Sequence, residues 1–117
     1  MRPAVLSIST ERVLAPIRNA VLAHAGYGVI PAVTTESALD ILQRRHVCAI
    51  IIGNSISAVE RHRLCIEGQK LGVASIVLDP FDQIAEVKSE VHVNPLDGPE
   101  VFLDVLASVV HRDHGVA

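Results

Sequence analysis

The segment Cys48-Ala49-Ile50-Ile51-Ile52-Gly53-Asn54 constrains this chain more than any other. An unbroken apolar run rich in isoleucine, stopping at Gly-Asn, reads as a strand buried on both faces of a parallel sheet. In open sheets of that kind, chemistry sits beyond the carboxyl ends of the strands. A strand like this would ordinarily present a reactive side chain at its end, and here the residue is Gly53.

The rest of the chain alternates strand and helix around that run. Ala4 to Ile8 reads as a first strand, and Ser9-Thr10-Glu11 supplies helix-entry chemistry. The helix that follows is expected to begin near Arg12, because Pro16 is harmless only in the first turn. Its inner face would carry Leu14, Ile17, Val21 and Ala25, and Gly26 would end it. Tyr27 to Val33 is a second strand, placed at a sheet edge by Pro31. Thr34 to Ser37 caps a second helix. After the Val47–Ile52 strand, Ser57 and Glu60 form a capping box for a third helix with Leu64, Cys65, Gly68 and Leu71 inside. Val73 to Leu78 and Val91 to Val93 are the fourth and fifth strands. Pro99 opens a last helix with Phe102, Leu103, Leu106, Val109 and Val110 as its buried stripe. Asp79 to Glu90, opening on Asp79-Pro80, leaves a fourth helix short, distorted or absent. Strand–helix alternation of this kind requires a parallel sheet covered on both faces.

With 117 residues, the chain is read as one domain over 1–117, with its core in 4–110 and a polar, flexible tail at 111–117. Aromatic residues are 3% and the net charge is −3, so stacking platforms and phosphate-backbone binding are both disfavoured, and no nucleic-acid partner is expected. Nothing approaches a membrane span, and no membrane association is expected. Cys48 and Cys65 read as reduced, buried thiols, which points to the cytoplasm.

The pattern resembles the receiver domain of bacterial two-component response regulators. The markers are Gly26-Tyr27 after the first helix, Glu36-Ser37-Ala38-Leu39 opening the second, and Asn94-Pro95-Leu96 after the fifth strand. The resemblance implies an α/β, flavodoxin-like, three-layer fold with a five-stranded parallel sheet in the order 2-1-3-4-5. It also implies a cis peptide bond before Pro95. The family's chemistry is Mg²⁺-assisted phosphorylation of an aspartate at the end of strand three. That chemistry needs a carboxylate nucleophile, hard oxygen ligands for the metal and positive charge on the transferring group.

This chain departs at each matching position. The acidic pair falls on Ser9 and Thr10, the phosphoacceptor on Gly53, the Ser/Thr position on Asp79 and the lysine on Asn94. Shifting the alignment by one residue brings in Glu11 or Asn54 without restoring the set. The resemblance therefore implies a degenerate receiver: no enzyme, no cofactor, no metal, acting through a protein partner or as a homodimer. The output surface implied for such domains spans the fourth helix, fifth strand and fifth helix. With the Asp79–Glu90 segment short, the last strand and helix and the first helix become the better candidates. Val101, Val105 and Val109 are candidate dimer contacts or core.

Other chemistry reads weakly. Asp79 with Glu11 could form a metal or acid/base site, although Asp79 capping the segment after it is the simpler role. Six histidines include two spacings of three, His62 with Cys65 and His111 with His114, and two ligands make a poor zinc site. No phosphate-binding loop, dinucleotide fingerprint or nucleophile elbow is present. The competing class is a small-ligand binder or minor enzyme using Ser9, Thr10, Asn54 and Asp79 at the strand ends.

Overall fold

The computed structural model describes residues 2–81 and 85–114, with the backbone alone for 111–114. The order is β1 (Ala4–Ile8), α1 (Leu14–His24), β2 (Gly28–Ala32), α2 (Thr35–Arg44), β3 (Ala49–Ile52), α3 (Ala58–Lys70), β4 (Ala74–Leu78) and β5 (Glu90–Val93). A 3₁₀ turn (Pro95–Asp97) and α4 (Pro99–His114) follow. The five strands form a parallel sheet in the order β2-β1-β3-β4-β5. This is the architecture expected from the sequence.

Alternation along each strand builds the three layers. Leu6, Ile8, Ile50, Ile52 and Val77 face one way and pack with Leu42 of α2 and Leu64 and Cys65 of α3. Val5, Ala49, Ile51, Ile76 and Leu78 face the other way and meet Leu22 of α1 and Phe102, Leu106 and Val109 of α4. All four β3 residues are fully buried, because each face of the central strand lies under a helix layer. Pro31 sits on β2, whose ladder partner is β1, so its missing N–H costs nothing on the outer edge.

Local chemistry sets the helix ends. Thr34 Oγ1 accepts from Ser37 N–H at 3.0 Å, and Ser57 Oγ accepts from Glu60 N–H at 3.3 Å. Caps of this kind contribute about 1 kcal/mol each. Gly26 follows α1 at φ +101°, a left-handed conformation that side chains resist.

Several expectations change. Helix α1 starts at Leu14, two residues later than expected, and Pro16 lies in its first turn. Its sheet-facing side is Leu22, with the half-buried Ala15, Arg18 and Asn19 on the same stripe. Leu14 and Ile17, expected inside, are 61% and 58% exposed. On the stripe 15/18/19/22 that faces the sheet, Asn19 reaches β1: Ser7 Oγ donates to Asn19 Oδ1 at 2.7 Å. Leu71 also lies outside, since α3 ends at Lys70 and Leu71 is already in the C-cap turn. Val109 belongs to the core and Val101 to the surface, so they do not form one outer face. The backbone of α4 stays helical through His114, beyond the expected start of the tail, and 115–117 lie outside the described residues. Between β4 and β5 no helix occurs among the described residues; Glu90 N–H closes a turn onto Val87 C=O at 3.0 Å instead.

Candidate functional site at the carboxyl ends of the strands

The loops after β1 and β3 are tied to each other. Ser9 is buried, and its Oγ accepts from Glu11 N–H at 3.0 Å and lies 3.3 Å from Ser55 Oγ. Thr10 N–H donates to Ser55 Oγ at 3.1 Å. These hydroxyls are therefore engaged in holding loops, the ordinary role for Ser and Thr at element ends.

Glu11 serves α1. Its carboxylate accepts from Val13 N–H and Leu14 N–H, satisfying donors that the first helical turn leaves orphaned. The Leu14 and Val13 N–H groups hold its carboxyl below the usual carboxylate range. A carboxylate so engaged is not offered to a metal.

Gly53 is roofed over. A Cβ at this position would meet Ser9 Oγ at 3.0 Å, Ser9 Cβ at 3.1 Å and Arg18 Nη2 at 3.2 Å. The Arg18 guanidinium thus lies against Gly53, just past the carboxyl end of β3. Its Nε and Nη2 are sealed from solvent and have no hydrogen-bond partner. Burial lowers the arginine's pKa, and the nearby charge of Glu11 opposes that shift. Buried donors without partners are rare and costly.

The remaining positions diverge. Asp79 Oδ2 accepts from Arg61 Nη1 of α3 at 3.2 Å, and Oδ1 accepts from Phe81 N–H at 2.8 Å. Asp79 thus caps the segment that follows it. Asn94 Oδ1 accepts from Leu96 N–H at 2.9 Å, starting the 3₁₀ turn with Pro95 as its first residue. The peptide bond before Pro95 is trans, contrary to the cis form expected: no cis peptide bond occurs among the described residues. The capped 3₁₀ turn accommodates proline at its first position in the ordinary isomer.

A cavity of about 490 Å³ opens at this mouth. Ser9, Arg18 and Asn54 line one side, and Leu78, Pro95 and Phe102 the other. Thr10 instead borders a second cavity of about 510 Å³ with Ser7, Ser9 and Asn19. Ser9 and Asn54 thus line one cavity together, while Gly53, Asp79 and Asn94 lie outside the lining of both cavities. The residues present do not fit a magnesium ion: one carboxylate is bound to a helix end, another to Arg61, and a guanidinium occupies the approach. Among the described residues no three His, Cys, Asp or Glu side chains converge on a metal position. His62 pairs with Glu86 at 3.1 Å on the surface while Cys65 points into the core, so that spacing makes no ligand pair.

Sequence reasoning missed two groups. Arg18 and Asn19 are polar residues on an inward stripe. The signal available was Ala15 and Leu22 at helical spacing around them. Glu90 and His92 were missed as well. They alternate on β5 with both side chains almost fully buried, and His92 Nε2 contacts Glu90 Oε2. A polar–apolar–polar triplet on an edge strand reads as solvent-facing, and here the face is covered by α3 and the 85–89 turn.

Cys65 lies beside this group. Burial pushes its thiol up to about 11, and the charge of Glu90 adds to the shift. A raised pKa favours the folded state while the thiol is protonated. That contribution is present below about pH 9 and fades as pH rises from there to about 11. Native protein at pH 8 is expected to leave Cys65 unlabelled by a thiol reagent and to label it on unfolding; rapid native labelling contradicts this.

No family model matches the chain, and no curated protein matches it in sequence. Solved structures do match. The signal receiver domain of an HD domain-containing protein from Pseudomonas fluorescens superposes with a TM-score of 0.80 at 18% identity, covering 98% of this chain and 99% of that one. The chemotaxis protein CheY4 of Vibrio cholerae gives 0.76 at 18% identity over 93% and 99% of the two chains. A CheY-like response regulator receiver domain from Methanospirillum hungatei gives 0.67 at 17% identity over 93% and 97%. The fold is the receiver fold. Identities this low establish the shape of the receiver and leave its activity to be argued from the residues at the mouth.

Proposed function

We propose that this chain is a receiver-like signalling domain that is not phosphorylated and acts by binding a protein partner. One observation carries the reading. Gly53 stands where the resemblance places the phosphoacceptor, and a serine and a guanidinium pack where a side chain would stand. With no carboxylate there, phosphoryl transfer lacks its nucleophile. With Arg18 beside the site and Glu11 bound to α1, a divalent cation lacks ligands.

The partner surface is proposed on α1. Val13, Leu14 and Ile17 are apolar and more than half exposed, which follows from the helix turning Arg18 and Asn19 inward. No helix among the described residues is long and apolar enough to cross a membrane. A Leu14→Asp, Ile17→Asp pair should abolish partner capture from native extract while leaving the thermal transition within about 2 °C, because both residues are exposed. Unchanged capture would place the interface elsewhere, with the Val101 side of α4 next in line.

The absence of phosphoryl chemistry is tested by beryllofluoride with Mg²⁺, followed through amide chemical shifts. The reading requires no change at Ser9, Gly53, Asn54 or Asp79. Millimolar Mg²⁺ alone should leave the melting temperature unchanged, since no cluster of carboxylates awaits neutralisation. A rise of several degrees contradicts the proposal.

A further inference from the structure

We infer that the cavity lined by Ser9, Arg18 and Asn54 binds a small carboxylate carrying an apolar tail, with the Arg18 guanidinium as its anchor. The inference starts from the arginine. Two of its nitrogens are shut away from water without a hydrogen-bond partner, a state that an apolar side chain at position 18 would avoid. Arg18 lines the cavity, and a turn of its side chain would bring to the wall the paired donors by which a planar guanidinium matches the two oxygens of a carboxylate.

The walls define the rest of the ligand. Beyond Arg18 and Ser9 the cavity is bounded by Leu14, Ile17, Leu78 and Phe102, and three prolines close its rim. Its volume of about 490 Å³ falls in the range of small-molecule sites. One cation with apolar surroundings suits a monoanion with a hydrocarbon body. A phosphate dianion would need further cations or backbone N–H groups, and the N–H groups nearest α1 are already held by Glu11. Glu11 contributes the opposing charge at this mouth. Its carboxylate is directed to the helix start, which limits its competition for the arginine.

This ligand class differs from a phosphoryl group in charge and in its need for burial. It also does not depend on the partner-binding role proposed above. Leu14 and Ile17 serve both the cavity wall and the exposed face of α1, so an occupied cavity would alter the surface offered to a partner.

The test uses hexanoate, its neutral analogue hexanamide and inorganic phosphate, each titrated into the full chain. Binding is read by calorimetry and by amide shifts. Hexanoate should bind and move the resonances of Ser9, Gly53, Asn54 and Leu96, whereas hexanamide and phosphate should leave them in place. Arg18→Gln should weaken hexanoate binding roughly ten- to a hundredfold, the loss expected for a charge-assisted hydrogen-bonded contact. The Arg18→Lys variant, which keeps the charge without the planar fork, should fall between the two. A cooperative thermal transition in both variants shows that folding is intact. Equal binding of hexanamide, undiminished binding by Arg18→Gln, binding by phosphate alone, or no binding by any of the three overturns the inference.

Discussion

Glu90→Ala is expected to lower the unfolding free energy by about 3–5 kcal/mol, the cost of removing one partner from a buried pair. Glu90 and His92 side chains are 3% and 2% exposed on β5, so water cannot replace the lost contact. Glu90 also accepts from Glu86 N–H at 3.3 Å, which fixes the turn that leads into the strand. The variant therefore loses a side-chain partner and a loop anchor together. Urea unfolding followed by circular dichroism provides the measurement. Replacing both residues with apolar ones, Glu90→Leu with His92→Val, should recover most of the loss, because a well-packed apolar pair has no unmet polar demand. A single-variant loss below about 1 kcal/mol would mean that the pair is solvated.

The second large effect lies at Gly68, in the middle of α3. A Cβ there would stand 2.7 Å from Ile50 Cδ1 and 3.2 Å from Val73 C=O. The Val73 carbonyl is backbone and yields little, and the Ile50 tip can turn aside only within a packed core. The absent side chain is what lets α3 lie close against β3 and β4. Gly68→Val should cost about 3 kcal/mol or more, through overpacking that forces the helix off the sheet. Gly68→Ala sets the same Cβ against Ile50 Cδ1 but adds no γ atoms and gains about 1 kcal/mol of helix propensity, so it should cost less than valine. The contrast between the two variants is the informative result. Equal, small effects would show that α3 is free to shift.

Both effects concern residues whose importance was unequally visible in the sequence. Gly68 stood out on the inner stripe of α3 with Leu64 and Cys65, and the burial of all three follows from periodicity alone. The parallel sheet, the edge place of β2 and the central place of β3 were legible in the strand–helix alternation, Pro31 and the Ile50–Ile52 run, while the full strand order came from the resemblance to receiver domains. The orientation of α1 was not. Its apolar residues fall on more than one face, so periodicity favoured Leu14 and Ile17, and a single hydrogen bond from Ser7 to Asn19 belongs to the opposite choice. That choice carried Arg18 inward to Gly53. No local pattern announces a polar residue facing a sheet end, because its reason is a partner on a strand distant in sequence. The Glu90–His92 pair was hidden in the same way by the covering turn. For the candidate site, Ser9, Thr10 and Gly53 could be read directly, whereas the arginine packed against Gly53 could not.

An aspartate at position 53 would meet Ser9 and Arg18 within 3.0–3.2 Å of its Cβ, so restoring the carboxylate alone gives it a crowded cationic neighbour and no metal. Gly53→Asp is accordingly expected to remain unphosphorylated.

The most direct measurement of this account is the intact mass of the protein after incubation with acetyl phosphate and Mg²⁺. The mass is predicted to be unchanged, in the natural chain and in Gly53→Asp alike. A gain of one phosphoryl group on the natural chain, removed by hydroxylamine, would contradict it.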